Sequence, residues 1–171
     1  MRTALDRLYL WSGYLAGAFL VVIFIIMLYM SIGRQFGYNI PSGDDFAAWS
    51  MAACAFLGLA HTFKHGEMIR VGLLIDRFTG RARHIIELVS LLVGLTFVGY
   101  FAWNAVKFTI DTYRFSEMST GVVAIPLWIP QLGYTSGLVI LAIAFVDELI
   151  RVAGGNLPTY HKEPPKTAEE A

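Results

Sequence analysis

A chain of 171 residues, 56% hydrophobic, with 13 basic and 13 acidic residues and a mean hydropathy of +0.58, has room for several membrane crossings but none for a separate soluble domain. Its zero net charge hides an asymmetry between its two faces, no nucleic-acid partner is expected, and the lone Cys54 excludes an internal disulfide. Residues 8–33, 46–63, 88–106 and 118–146 carry no Asp, Glu, Lys or Arg, and a helix needs about 20 apolar residues to cross a bilayer. Ten of the basic residues precede the first stretch, separate the second from the third, or follow the fourth; three lie in the other two gaps. Basic residues stay in the cytoplasm. The pattern predicts an all-α membrane protein with four transmembrane helices, both termini inside, in the lipid bilayer.

The first helix is expected over about residues 8–32. It outruns the apolar region of a signal peptide, which is about 7–15 residues, and so reads as a retained span. Trp11 and Tyr14 mark its inner end; Tyr29, Phe36 and Tyr38 mark its outer end. Gly13 and Gly17 are four apart and share a face suited to close helix packing. Residues 37–43 are turn chemistry. Ser42 precedes Asp45 by three, the spacing of a capping box, and Asp44 and Asp45 fall in the first turn of the next helix, where negative charge complements the helix dipole.

The second helix is expected over 46–63, with Gly58 as a packing position. Residues 64–84 are too polar to span. As a helix they place Met68, Val71, Ile75 and Phe78 along one face and Arg70, Arg77 and Arg81 opposite, which predicts an arm lying in the inner membrane surface and touching protein as well. The third helix is expected over 85–106, followed by a short polar outer segment at 107–120. Pro126 and Pro130 break the last stretch, so the fourth helix is expected over 127–149, with 120–125 packed against protein or the outer interface. Residues 151–171 read as a disordered cytoplasmic tail after the helical domain of residues 1–150.

Transport or catalysis inside a membrane needs ionisable residues at depth. They are nearly absent here: Glu87, Lys107 and Asp111 are expected near helix ends, within reach of water. His61 and His65 share a face, and His84 lies on the same inner side. Imidazole suits haem and metals, so a haem- or quinone-binding anchor of a redox enzyme is the alternative reading; interfacial histidines bonded at helix ends is the simpler one. No phosphate-cradling loop, nucleophile with its base, or cysteine pair is present. No catalytic, cofactor or metal site is expected. A small apolar protein of this kind reads as an accessory subunit rather than a carrier by itself.

Arg34 is followed by Asp44-Asp45, then by Gly58, then by His65-Gly66-Glu67-Met68-Ile69-Arg70-Val71, and finally by Ile125-Pro126-Leu127-Trp128-Ile129-Pro130. In this order and spacing the chain resembles the small membrane subunit of tripartite ATP-independent periplasmic (TRAP) transporters, the DctQ-like family, over about residues 5 to 150. Met68 stands where that family often has histidine, and Gly72 where it often has an acid. The resemblance implies a bacterial inner-membrane protein that embraces a large transport subunit and takes part in docking a periplasmic substrate-binding protein. The complex would take up organic acids, such as dicarboxylates or sialic acid, on a sodium gradient. On this reading Arg34, Asp44 and Asp45 contact the binding protein, and Arg70, Val71, Ile75 and Phe78 contact the large subunit.

Overall fold

Alternating steps of three and four residues decide how the first helix packs. The computed structural model describes residues 2–38, 41–65 and 81–154, and its first helix, α1, is Arg2–Gln35. Tyr9, Ser12, Ala16, Phe19, Ile23, Ile26 and Met30 are its inward positions, in steps of three and four along one seam. That seam lies on α2, Gly43–His65. Elsewhere α1 shows large apolar side chains: Val21, Phe24 and Ile25 are all more than half exposed.

The other face of α2 packs on α4, Trp128–Ala153, and α4 in turn carries α3, Arg81–Arg114. Across the molecule the helices therefore run α1, α2, α4, α3. No Cα of α3 comes within 8 Å of α1 or α2. The close α2–α4 approach rests on glycine: a Cβ on Gly133 would stand 2.6 Å from that of Ala53, and one on Gly137 would strike the Phe56 backbone. Between α3 and α4 the Thr109 and Thr135 hydroxyls share a buried hydrogen bond of 2.9 Å.

Tyr9, Ala60, Phe63, Leu91, Ala144 and Val152 belong to one buried cluster, with Phe63 stacked on Phe145 at 4.2 Å. The starts of α1 and α3 and the ends of α2 and α4 thus meet at one end of the row, the terminal end. The loops at 36–42 and 115–127 lie at the other, the loop end.

Among the described residues three helical segments are long and apolar enough to cross a membrane: Leu5–Gln35, Gly43–Lys64 and His84–Arg114. α4 is not among the three. It is one of the two inner helices of the row, with Gln131, Thr135 and Glu148 buried within it. The helices also outrun the apolar stretches. Residues 107–114, expected as a polar connection, continue α3 because Thr109 and Thr112 are buried on its packed face. Residues 151–153, expected as the start of a disordered tail, complete α4, with Val152 fully buried in the terminal cluster. Pro130 is accommodated in the first turn of α4, where its missing N–H has no helical partner to lose. The arm with Arg70, Val71, Ile75 and Phe78, and residues 155–171, lie outside the described residues.

Candidate functional surfaces at the two ends

Lys64 ends α2, a position where the helix dipole favours a cation, and its stem lies within the terminal end of the row. Its Nζ donates to Asp147 Oδ2 at 2.7 Å and stands 3.6 Å from Glu148 Oε2, both on α4. From the other side it sits 5.4 Å from the centre of the Tyr9 ring of α1, within range of a cation–π attraction. Tyr9 and Glu148 are buried almost completely. One ammonium thus joins three helices, facing two carboxylates and an aromatic ring. Glu87, expected within reach of water, is buried at this end of α3, whereas Lys107 and Asp111 are exposed.

The expectation that ionisable groups avoid the interior fails at this layer. Lys64, Asp147 and Glu148 escape a search for charges at depth because they flank the charge-free stretches rather than interrupt them. A signal is present in the sequence: Leu141, Ala144, Glu148 and Val152 follow helical spacing on the buried face of α4.

His61 turns toward α1. Its ring lies against Gly13, where a Cβ would stand 2.8 Å away, and its Nδ1 is 3.2 Å from the Tyr9 carbonyl. A carbonyl only accepts, so this is a hydrogen bond in the tautomer protonated on Nδ1. Ser12 Oγ donates to the same carbonyl at 2.8 Å. His84 is exposed on α3, away from α1 and α2, so the two imidazoles are not brought together. Among the described residues no three His, Cys, Asp or Glu side chains converge as metal ligands. Gly58 meets Ala16 Cβ of α1 at an ordinary 3.7 Å, whereas Gly17 has nothing within 4 Å of its Cβ position. Of the two glycines of the expected seam, only Gly13 faces a neighbour inside the chain.

At the loop end both outgoing helices close with the same hydrogen-bond pattern. Tyr38 N–H donates to the Gly33 carbonyl at 2.9 Å and Gly37 N–H to that of Arg34 at 3.3 Å, with Gly37 at φ +75°. After α3, Glu117 donates to Thr112 at 3.2 Å and Ser116 to Tyr113 at 3.3 Å, with Ser116 at φ +51°. The chain then doubles back. Met118 bridges Pro126, Ser119 N–H donates to the Ile125 carbonyl, and the tip at 121–123 lies over the start of α2.

That tip replaces the expected capping box. Ser42 stands at φ +57°, outside the extended region of an ordinary N-cap, and its hydroxyl accepts from Val123 N–H at 3.0 Å. Gly121 lies against Asp45, where a Cβ would collide with Oδ2. Asp45 is therefore half-buried beneath the loop, while Asp44 and Arg34 are exposed. Neither aspartate makes an ion pair with Arg34 among the described residues. Beside this contact, Phe19, Trp49, Ser50, Ile125 and Pro130 line an apolar cavity of about 260 Å³ between α1, α2 and α4.

Among the described residues neither end presents an activated nucleophile or an acid–base pair aimed at open space. The terminal end is an internal ionic latch; the loop end is a tethered surface with exposed charges. The family described as "Tripartite ATP-independent periplasmic transporters, DctQ component" matches the chain over residues 23–155. Among curated proteins none matches it.

Proposed function

This chain belongs to the DctQ family, the small membrane subunit of TRAP transporters, and from that premise we propose that it is a non-catalytic scaffold for the large permease subunit. The observation that carries this reading is the open row of helices. α1 and α3 stand at opposite edges with no Cα pair within 8 Å, so among the described residues no closed bundle surrounds a solute path. A carboxylate substrate that sheds water needs replacement donors or cations at mid-depth. Lys64 is largely buried, but it lies at the terminal end and is neutralised there by Asp147.

In this proposal all four helices cross the bacterial inner membrane, with the terminal end cytoplasmic, and the whole complex carries organic acids on a sodium gradient. The arm with Arg70, Val71, Ile75 and Phe78 grips the large subunit at the cytoplasmic surface. Arg34, Asp44 and Asp45, on the loop end, help dock the periplasmic substrate-binding protein by charge complementarity. The test is uptake by proteoliposomes holding this chain alone, the large subunit alone, or both, each with the binding protein. Sodium-dependent uptake is expected only with both. Uptake by this chain alone refutes the scaffold reading. In the complete system, Asp44→Asn/Asp45→Asn is expected to slow uptake and flatten its salt dependence; an unchanged salt profile removes the docking role.

A further inference from the structure

On the side that its own bundle leaves uncovered, α3 carries a polar stripe set among exposed apolar side chains such as Val93, Phe97 and Phe108. Its packed positions include Leu91, Val98, Ala102, Ala105, Thr109 and Thr112. Opposite them, at helical spacing, stand Thr96, Tyr100, Trp103, Asn104, Lys107 and Asp111, all exposed. Tyr100 and Trp103 are each 67% exposed. The Asn104 amide donates to the Tyr100 carbonyl, and Thr96 Oγ1 to that of Leu92. The Tyr100 hydroxyl, the indole N–H of Trp103 and the charges of Lys107 and Asp111 have no partner among the described residues.

The depth of this stripe makes it unusual. α2 runs from one end of the row to the other, and Phe56 lies near its middle. Phe56 packs against the buried cluster that Leu138 forms with Ala102 and Ala105 of α3. Tyr100, Trp103 and Asn104 are therefore within a turn of mid-depth, far from the interfaces where tyrosine and tryptophan ordinarily settle. Facing lipid, the Tyr100 hydroxyl and the Trp103 indole N–H would have nothing to bond, and the Asn104 amide only the Tyr100 carbonyl of its own helix. α1 shows the contrast: its outward positions Ala18, Val21, Val22, Ile25 and Leu28 are wholly apolar and lie between Tyr14 and Tyr29, as a lipid-facing surface requires.

We infer that the Thr96–Tyr100–Trp103–Asn104–Lys107 face of α3 is the membrane-embedded docking surface for the large subunit. The inference rests on the small-subunit reading and adds which edge of the row is covered. Only a partner within the membrane reaches this depth, and it must offer hydrogen-bonding groups opposite Tyr100 and Asn104 and an acidic group at the height of Lys107. A second copy of this chain fits poorly. Two copies related by an axis normal to the membrane place Lys107 against Lys107 and Asp111 against Asp111. Beside the stripe an apolar groove of about 520 Å³ runs between Trp103 and Val106 of α3 and Val139, Ile143 and Val146 of α4, ready to take the partner's apolar side chains.

The experiment is photo-crosslinking in membranes that contain the whole transporter, with p-benzoylphenylalanine at Trp103 or, on α1, at Ile25. Trp103 is expected to cross-link to the large subunit and Ile25 to label lipid. Tyr100→Leu/Asn104→Leu is expected to lower co-purified large subunit about tenfold, while Ile25→Leu leaves it unchanged. Labelling of lipid or of a second copy from position 103 overturns the assignment of the face, and co-purification by the unaltered chain then leaves the subunit reading standing. Failure of the unaltered chain to retain any large subunit overturns both.

Discussion

Lys64 Nζ and Asp147 Oδ2 meet at 2.7 Å, joining the last turn of α2 to α4 across 83 residues of sequence. Both side chains are largely buried, and Glu148 beside them is almost completely so. Removing one partner of such a pair leaves an uncompensated buried charge, which costs far more than the intact pair contributes. The latch therefore holds α2 to α4 chiefly by what its loss would expose.

Lys64→Met is expected to destabilise the chain by about 3 kcal/mol, since the largely buried Asp147 carboxylate then loses the ammonium it faces at 2.7 Å. Asp147→Asn costs less, because Glu148 at 3.6 Å still faces the ammonium. The double variant Lys64→Met/Asp147→Asn recovers part of the loss. Unfolding in detergent, arranged as a double-mutant cycle, measures the coupling. Additive single effects would mean that the 2.7 Å contact carries no energy.

Gly137→Ala is expected to force α2 and α4 apart, because the new Cβ would strike the Phe56 carbonyl and stand 2.7 Å from Leu57 N. These are backbone atoms, which cannot turn aside as a flexible side chain can. The expected loss is about 1–3 kcal/mol. Gly17→Ala meets nothing within 4 Å and should not lower the stability of the isolated chain. A Gly137→Ala protein as stable as its parent would show that the two helices have slack at this crossing.

The paired helix endings at Gly37 and Ser116 give opposite responses to glycine chemistry. Gly37 and Ser116 both have positive φ, at 75° and 51°. A side chain is strained in that region by roughly 1 kcal/mol. Ser116→Gly is expected to raise stability by a few tenths of a kcal/mol to about 1, and Gly37→Ala to lower it by about 1. Equal responses at the two sites would show that the loops and not the backbone angles set the cost.

Hydropathy makes α1, α2 and α3 legible, because a charge-free stretch of spanning length is rarely stable except as a helix within lipid. Their ends are not legible. α3 continues to Arg114 because Thr109 and Thr112 are held against α4, and hydropathy does not register such packing. The ionic layer is hidden for a related reason. Asp147 and Glu148 follow a long apolar run and resemble the start of a tail, yet Glu148 falls on the same face as Leu141 and Ala144. Ser42 shows the limit of local motifs: the spacing to Asp45 suits a capping box, but a loop eighty-one residues away takes the hydroxyl first. Arg34, Asp44 and Asp45 group at one end in sequence as in the fold, but their differing exposure depends on where the 121–123 tip comes to rest.

Topology gives the last expectation. The starts of α1 and α3 and the ends of α2 and α4 share one cluster that contains Tyr9, Phe63, Leu91 and Val152. The orientation of any one helix therefore fixes that of the other three. The basic residues outside the apolar stretches concentrate at this same end, where Arg7, Lys64, Arg81 and Arg151 lie, whereas Arg34, Lys107 and Arg114 lie toward the other. The cytoplasm retains the more basic side. Reporter fusions at Arg81 and after Gly154 should report the cytoplasm, and a fusion at Glu117 the periplasm. An external signal at Arg81 would turn the whole row over, moving Asp44 and Arg34 to the cytoplasm and ending their proposed contact with a periplasmic protein.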